Sequence, residues 1–353
     1  MRLPEAVATR AALARTRCDS VPMSNLDARP DETLCHPALV RGPVNRLLDA
    51  REVPLGGLRA MHVRRTLPTR DLPLVGAWCF LDTFGPEHVD MRVLPHPHIG
   101  LQTVTWPLAG EIHHRDSVGS DVVVRPGQLH LMTAGHGVSH SEISLGAGRL
   151  LHGVQLWVAL PAGEADRSPS FSQHLDLPVV TGDGLAATVL VGQLGGRASP
   201  AVVHTPLVGA DIAVDAGTTT TLPLDPLFEH AVLTLEGAVT VDGTELAPGP
   251  LLYLGAGRDH LAMASAGGGR VLLIGGEPFT DDLIMWWNFV GRSHDEIVQA
   301  RRDWEDDGPA RYGRVTGHGD ERIPAPALPN LRLTPRRRRD ESGGAAGRSG
   351  PPT

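Results

Sequence analysis

One pattern occurs twice in this chain and limits what it can fold into. Residues 103–112 (TVTWPLAGEI) lead through 121–132 (DVVVRPGQLHLM) to a glycine-rich loop ending in histidine, GHGVSH at 135–140. Residues 231–241 (AVLTLEGAVTV), an Asp242-Gly243 turn, 244–254 (TELAPGPLLYL) and GAGRDH at 255–260 repeat that order. Each copy runs strand, Gly turn, strand, Pro-Gly turn, strand, and Asp-Gly is a favoured two-residue hairpin turn. An internal duplication of a β unit follows. Leu101–Leu108 and Leu150–Leu160 alternate in the same way and stop at Gly or Pro. Short strands at close spacing are the pattern of a sandwich or barrel.

Length and composition agree. At 353 residues, with Gly and Pro making up about a fifth, the chain has room for two such units joined by turns. We place the first at 41–165 and the second at 170–322, with a linker near 162–172. Residues 1–40 read as a flexible extension, with Met23 an alternative start, and 323–353 as a disordered tail whose Arg336–Arg339 run is solvated. One helix is expected late in the chain. Ser293 and Glu296 form an S-x-x-E capping box, and Ile297, Ala300 and Trp304 then recur on one face.

Charge and cysteine content exclude several classes. The net charge of −8 argues against direct nucleic-acid binding. Cys18, Cys35 and Cys79 are too scattered for a disulfide framework. No apolar run is long enough to span a membrane, and no secretory leader is evident. All 32 basic residues are Arg, which points to a GC-rich bacterial genome. The expectation is a cytoplasmic monomer.

The chemistry is concentrated in PHPHIG at 95–100 and SHSE at 139–142. Residues two apart on a strand share a face, so His96 and His98 form one pair and His140 and Glu142 another. A lone strand histidine is usually structural. Two same-face pairs in an apolar β domain need a shared partner, because burying four polar groups without one costs several kcal/mol. Imidazoles with one carboxylate suit Fe, Mn, Ni, Cu or Zn rather than Ca or Mg. His113 and His114 are adjacent, point to opposite faces and cannot both serve one ion. With His130, His136 and His152 they are assigned to the surface or to positions behind the ligands. Gln102, Trp106 and Met132 are expected to line the pocket, Gln102 because it lies an even number of residues from His98. The second copy has only His230 and His260, so its barrel is expected to hold no metal.

PHPHIGLQTVTW, EIHHRDSVGS, RPGQLHLMTAGHGVSHSE and WNFVGRSHDEI resemble the pirin family of the cupin superfamily, over roughly residues 41–320. The resemblance implies an all-β fold of two cupin-type barrels (double-stranded β-helix, or jelly roll) with a few short helices. It implies one iron ion, Fe(II), on His96, His98, His140 and Glu142 in the first barrel. The family usually has Glu at Gln102 and Arg at His136. Losing that carboxylate removes one candidate general base and leaves Glu142 as the nearest one. Two functions follow from the resemblance. One is a quercetin 2,3-dioxygenase, with a flavonol and O₂ as substrates and Glu142 as catalytic base. The other is an iron- or redox-dependent regulator that binds a protein partner without catalysis.

Overall fold

The structure, a computed structural model, describes residues 33–35, 42–55 and 61–333. The alternative start at Met23 and the Arg336–Arg339 run lie outside the described residues. Strands dominate, and the duplication predicted from sequence is two barrels of antiparallel strands. The first barrel joins two sheets. Its larger sheet runs, in spatial order, Ser170–His174, Leu129–Thr133, Leu101–Ala109, Leu150–Ala159, Trp78–His88, Met61–Leu67 and Arg51–Leu55. Its smaller sheet runs Arg92–His98, Val138–Ser144, Ile112–Asp116 and Asp121–Val124. In the second barrel, Leu185–Leu194, Leu207–Val214, Gly269–Gly276, Glu229–Gly237 and Leu251–Gly255 lie side by side. They face a sheet that includes Thr218–Pro223 and His260–Ser265.

The ends of the chain are exchanged between the barrels. Pro43–Leu48, from the start of the chain, pairs with Leu251–Gly255 and completes the second barrel's large sheet. In return, the hairpin of Leu283–Trp286 and Phe289–Gly291 and the helix His294–Tyr312 pack on the first barrel. Ile284, Trp286, Phe289, Ile297, Ala300 and Trp304 share one apolar cluster there with Val63, Met91, Val93 and Ile99. The helix begins as read from sequence: Ser293 Oγ accepts from the Glu296 amide at 3.1 Å.

Several boundaries therefore move. The segment proposed as a linker overlaps Ser170–His174, which pairs with Leu129–Thr133 inside the first barrel. Of the proposed N-terminal extension, Thr33–Cys35 forms a strand against Leu283–Trp286. Of the proposed tail, Ile323, Ala325 and Leu333 are buried in the first barrel's outer cluster, and the Ile323 amide donates to Pro95 O at 2.8 Å. Apolar side chains at these three positions give the segment something to bury, which the Arg- and Gly-rich residues beyond do not have. No helix among the described residues is long and apolar enough to cross a membrane.

Side-chain parity on Leu101–Ala109 sorts the first barrel's contents. Thr103 and Thr105 face the smaller sheet, since Thr105 Oγ1 reaches Glu142 Oε1 at 3.5 Å. Gln102, Val104 and Trp106 face the second barrel: Trp106 Nε1 donates to Asp211 Oδ2 at 2.7 Å and Gln102 Nε2 to Val202 O at 3.1 Å.

Candidate metal centre

Two neighbouring strands of the smaller sheet bring the predicted donors together. Arg92–His98 and Val138–Ser144 pair antiparallel with His140 opposite His96, and the register slips between His140 and Glu142. The ligand atoms of His96, His98 and His140 all lie within 4.8 Å of one another, and the three side chains are buried. His114, His140 and Glu142 form a second, overlapping group within the same span. His114 sits directly opposite Glu142 on the next strand. Sequence reasoning set His114 aside with its neighbour; only His113 turns outward, to Asp121 at 2.5 Å. The usable signal was that His114, His140 and Glu142 could share a face once Ile112–Asp116 paired with Val138–Ser144.

The rings are held from behind. His96 Nδ1 lies 2.9 Å from Leu94 O and His98 Nδ1 3.0 Å from Asn288 O, so each Nε2 turns inward as an acceptor. Asn288 lies 190 residues further along the chain. It is carried on a tight turn in which Trp287 takes φ 54°, a left-handed conformation that costs an aromatic residue about 1–3 kcal/mol. His114 Nε2 donates to Asp116 Oδ2 at 3.1 Å, and Asp116 Oδ1 accepts from the amides of Val118 and Ser120. Burial opposes ionisation of Asp116, yet these bonds hold its pKa below the usual range.

Burial also sets the charge of the donors. It pushes His96 down to about 4, with the Leu94 carbonyl acting against the shift, and His98 and His140 well below their ordinary value. The three imidazoles are therefore neutral at pH 7, as ligation requires. Burial raises the Glu142 carboxyl, partly offset by His114 and by the Thr105 hydroxyl.

Around the cluster the larger sheet presents two rows. One is polar: Arg65, Asp82, Gln155, Thr105 and His130 lie opposite one another across five strands. Arg65 and Asp82 form a buried bidentate pair, both contacts 2.6 Å. The other row is aromatic, with Phe80 stacked on Trp157 at 4.1 Å and Trp157 edge-on to His98 at 5.1 Å. Met132, opposite Thr103 and Phe171, lies on this inner face. Gln102 and Trp106 do not line it, a correction to the sequence reading. The Arg92–His98 strand ends before Gly100 (φ 68°), and Leu101–Ala109 begins in the other sheet, so parity does not carry from His98 to Gln102. His136 lies exposed on Arg167 O, and His152 is buried near Glu236 between the barrels.

With this geometry in place, known proteins can be compared. The Pirin family model matches residues 60–158, and the model for the pirin C-terminal cupin domain matches 209–308. The chain belongs to the pirin family. A Pseudomonas aeruginosa protein named "Putative quercetin 2,3-dioxygenase PA1205" is 47% identical over 284 residues, covering 79% of this chain and 89% of that one. A pirin-like protein of Caulobacter vibrioides is 37% identical over 276 residues, covering 74% and 93%. Among solved structures, a quercetin 2,3-dioxygenase from Acinetobacter baumannii is 42% identical with a TM-score of 0.77, over 81% of this chain and 96% of that one.

Membership of the pirins implies a metal ion, and the donors fit one. His98 Nε2 and His140 Nε2 stand 3.1 Å apart, and His140 Nδ1 is buried without a partner. A proton on His140 Nδ1 leaves two lone pairs facing each other. A proton on Nε2 leaves the buried Nδ1 bare. A cation among the Nε2 atoms removes the first conflict and compensates the buried lone pairs.

Proposed function

We propose that this pirin holds a single Fe(II) on His96, His98, His140 and Glu142 and acts as a quercetin 2,3-dioxygenase on flavonols. The observation that carries the reading is three buried neutral imidazoles within 4.8 Å of one another, with Glu142 joined to them through His140, beside an aromatic wall, in a family with relatives bearing that name. When bound, the iron supplies a redox-active Lewis acid at which a chelating substrate and O₂ meet. The chain supplies the rest. Trp157 and Phe171 present apolar ring surface to a planar substrate, with Phe80 backing Trp157. Glu142 receives the flavonol hydroxyl proton; the Thr105 hydroxyl, which donates to Gln155 Oε1 at 2.8 Å, lies 3.5 Å from Glu142 Oε1. His114, opposite Glu142 on the next strand, acts on that carboxyl electrostatically and lowers its pKa against the larger rise from burial.

The test is loss of quercetin's visible absorbance under air, with wild type and Glu142→Gln compared at equal iron content. Turnover in the variant should fall about 10²–10⁴-fold, the usual share of a general base. Equal turnover removes Glu142 from that role. A wild type no faster than free Fe(II) across several flavonols sinks the dioxygenase reading and favours the iron-dependent regulator.

A further inference from the structure

The second barrel, which lacks the metal donors, has an opening of its own. A cavity of about 1000 Å³ lies at its mouth, at the upper end of the range for small-molecule sites. Below it the barrel is filled by aliphatic side chains, among them Val189, Val232, Leu252 and Leu273. Where the fill stops, one imidazole stands on the wall. His230 is 1% exposed, and its Nδ1 is buried without a hydrogen-bond partner. The nearby Phe228 carbonyl raises its pKa slightly but does not reach Nδ1 in bonding geometry. The ring is fixed from behind: a Cβ at Gly275 would meet its Cδ2 at 2.6 Å, so glycine is what makes room for it. A second polar atom on the same lining, Thr205 Oγ1, is likewise buried without a partner. An aliphatic residue at position 230 would complete the fill without an orphaned nitrogen, so the imidazole costs stability unless something occupies the cavity.

We infer that this cavity binds an uncharged, flat, mainly apolar molecule carrying a hydroxyl group, a phenol in the simplest case. The lining decides the class. Phe228, Leu224 and Val208 supply apolar surface, and the one charged lining residue, Asp225, is exposed and acidic. An anion finds no counter-charge there. A phenolic O–H can donate to an imidazole nitrogen and accept from a hydroxyl, the two kinds of polar group that His230 and Thr205 bring to this lining. The site is separate from the metal centre and does not depend on the activity proposed for it.

The probe is 1-naphthol, titrated calorimetrically into the full chain with and without iron. One molecule should bind per chain in both forms. His230→Leu and Thr205→Val should each weaken binding about two- to tenfold, the share of one hydrogen bond. Ala198→Trp, at an exposed position on the lining, should abolish binding by filling the mouth, and it keeps the test open if His230→Leu folds poorly. His140→Ala should leave binding unchanged. No binding by wild type, binding unaffected by both His230→Leu and Ala198→Trp, or binding lost in His140→Ala would each overturn the assignment.

Discussion

The two barrels share a strand plan and differ in what points inward. The first encloses five buried histidines (His96, His98, His114, His130 and His140), a buried Arg65–Asp82 pair, Gln155 and Thr105, while the second encloses mainly aliphatic side chains with His230 at its mouth. One backbone thus supports a polar interior and an aliphatic one, and the difference lies at inward-facing strand positions. The polar interior depends on partners: Arg65 and Asp82 hold each other, and His96, His98 and His114 are each held by a carbonyl or carboxylate, so removing one partner leaves the other stranded. The aliphatic interior has no such dependence. It can lose or gain a polar group at its mouth without breaking a network.

The largest expected effect tests that dependence. Asp82→Asn leaves Arg65 charged and buried, and should lower unfolding stability by about 3–5 kcal/mol. Replacing both partners with apolar residues should recover most of it. Denaturant titration of the single and double variants decides the matter; equal losses in both would mean that the pair's packing matters and its charge does not.

The second expectation concerns acid. Burial lowers His230 to about 4, so between the unfolded value near 6.5 and about 4 the unfolded chain binds the proton and the folded chain does not. Stability contributed by neutral His230 is complete above about pH 6.5 and is lost as pH falls towards 4. His230→Leu should make the metal-free protein less sensitive to acid across that window, by roughly 3 kcal/mol at its lower end. Parallel stability–pH curves for wild type and variant would show that the ring protonates freely in the fold.

The third expectation sharpens the ligand set. His98→Ala and His140→Ala should lower iron affinity by at least about 10–100-fold, and His114→Ala by less, because it stands outside the group of His96, His98 and His140. Elemental analysis of the reconstituted proteins reads this directly, against one ion per wild-type chain. Equal loss at His114 would make it a ligand.

Much of this was legible in the chain itself. The duplication, the His96/His98 and His140/Glu142 pairs and the late helix follow from periods of 2 and 3.6 and from capping chemistry, all of which are local. What escaped is non-local or discontinuous. Parity predicts a shared face only within one strand, so it failed for Gln102 across the turn at Gly100 and was silent about His114, which a neighbouring strand delivers. Nothing near His98 announces that a carbonyl 190 residues away orients it. Domain boundaries drawn by composition likewise could not show that each barrel borrows strands from the other end of the chain.

That exchange bears on the order in which the protein can be made. Synthesis runs from the N-terminus, so Pro43–Leu48 emerges long before Leu251–Gly255, and until then it is an unpaired edge. His98 is made early, yet the carbonyl that fixes its ring arrives only with Asn288. At roughly 5–20 residues per second that interval is on the order of ten seconds. A nascent first barrel therefore has its donor residues but not the support that orients them. A fragment cut between the barrels would keep the donor residues but lose the carbonyl that orients His98.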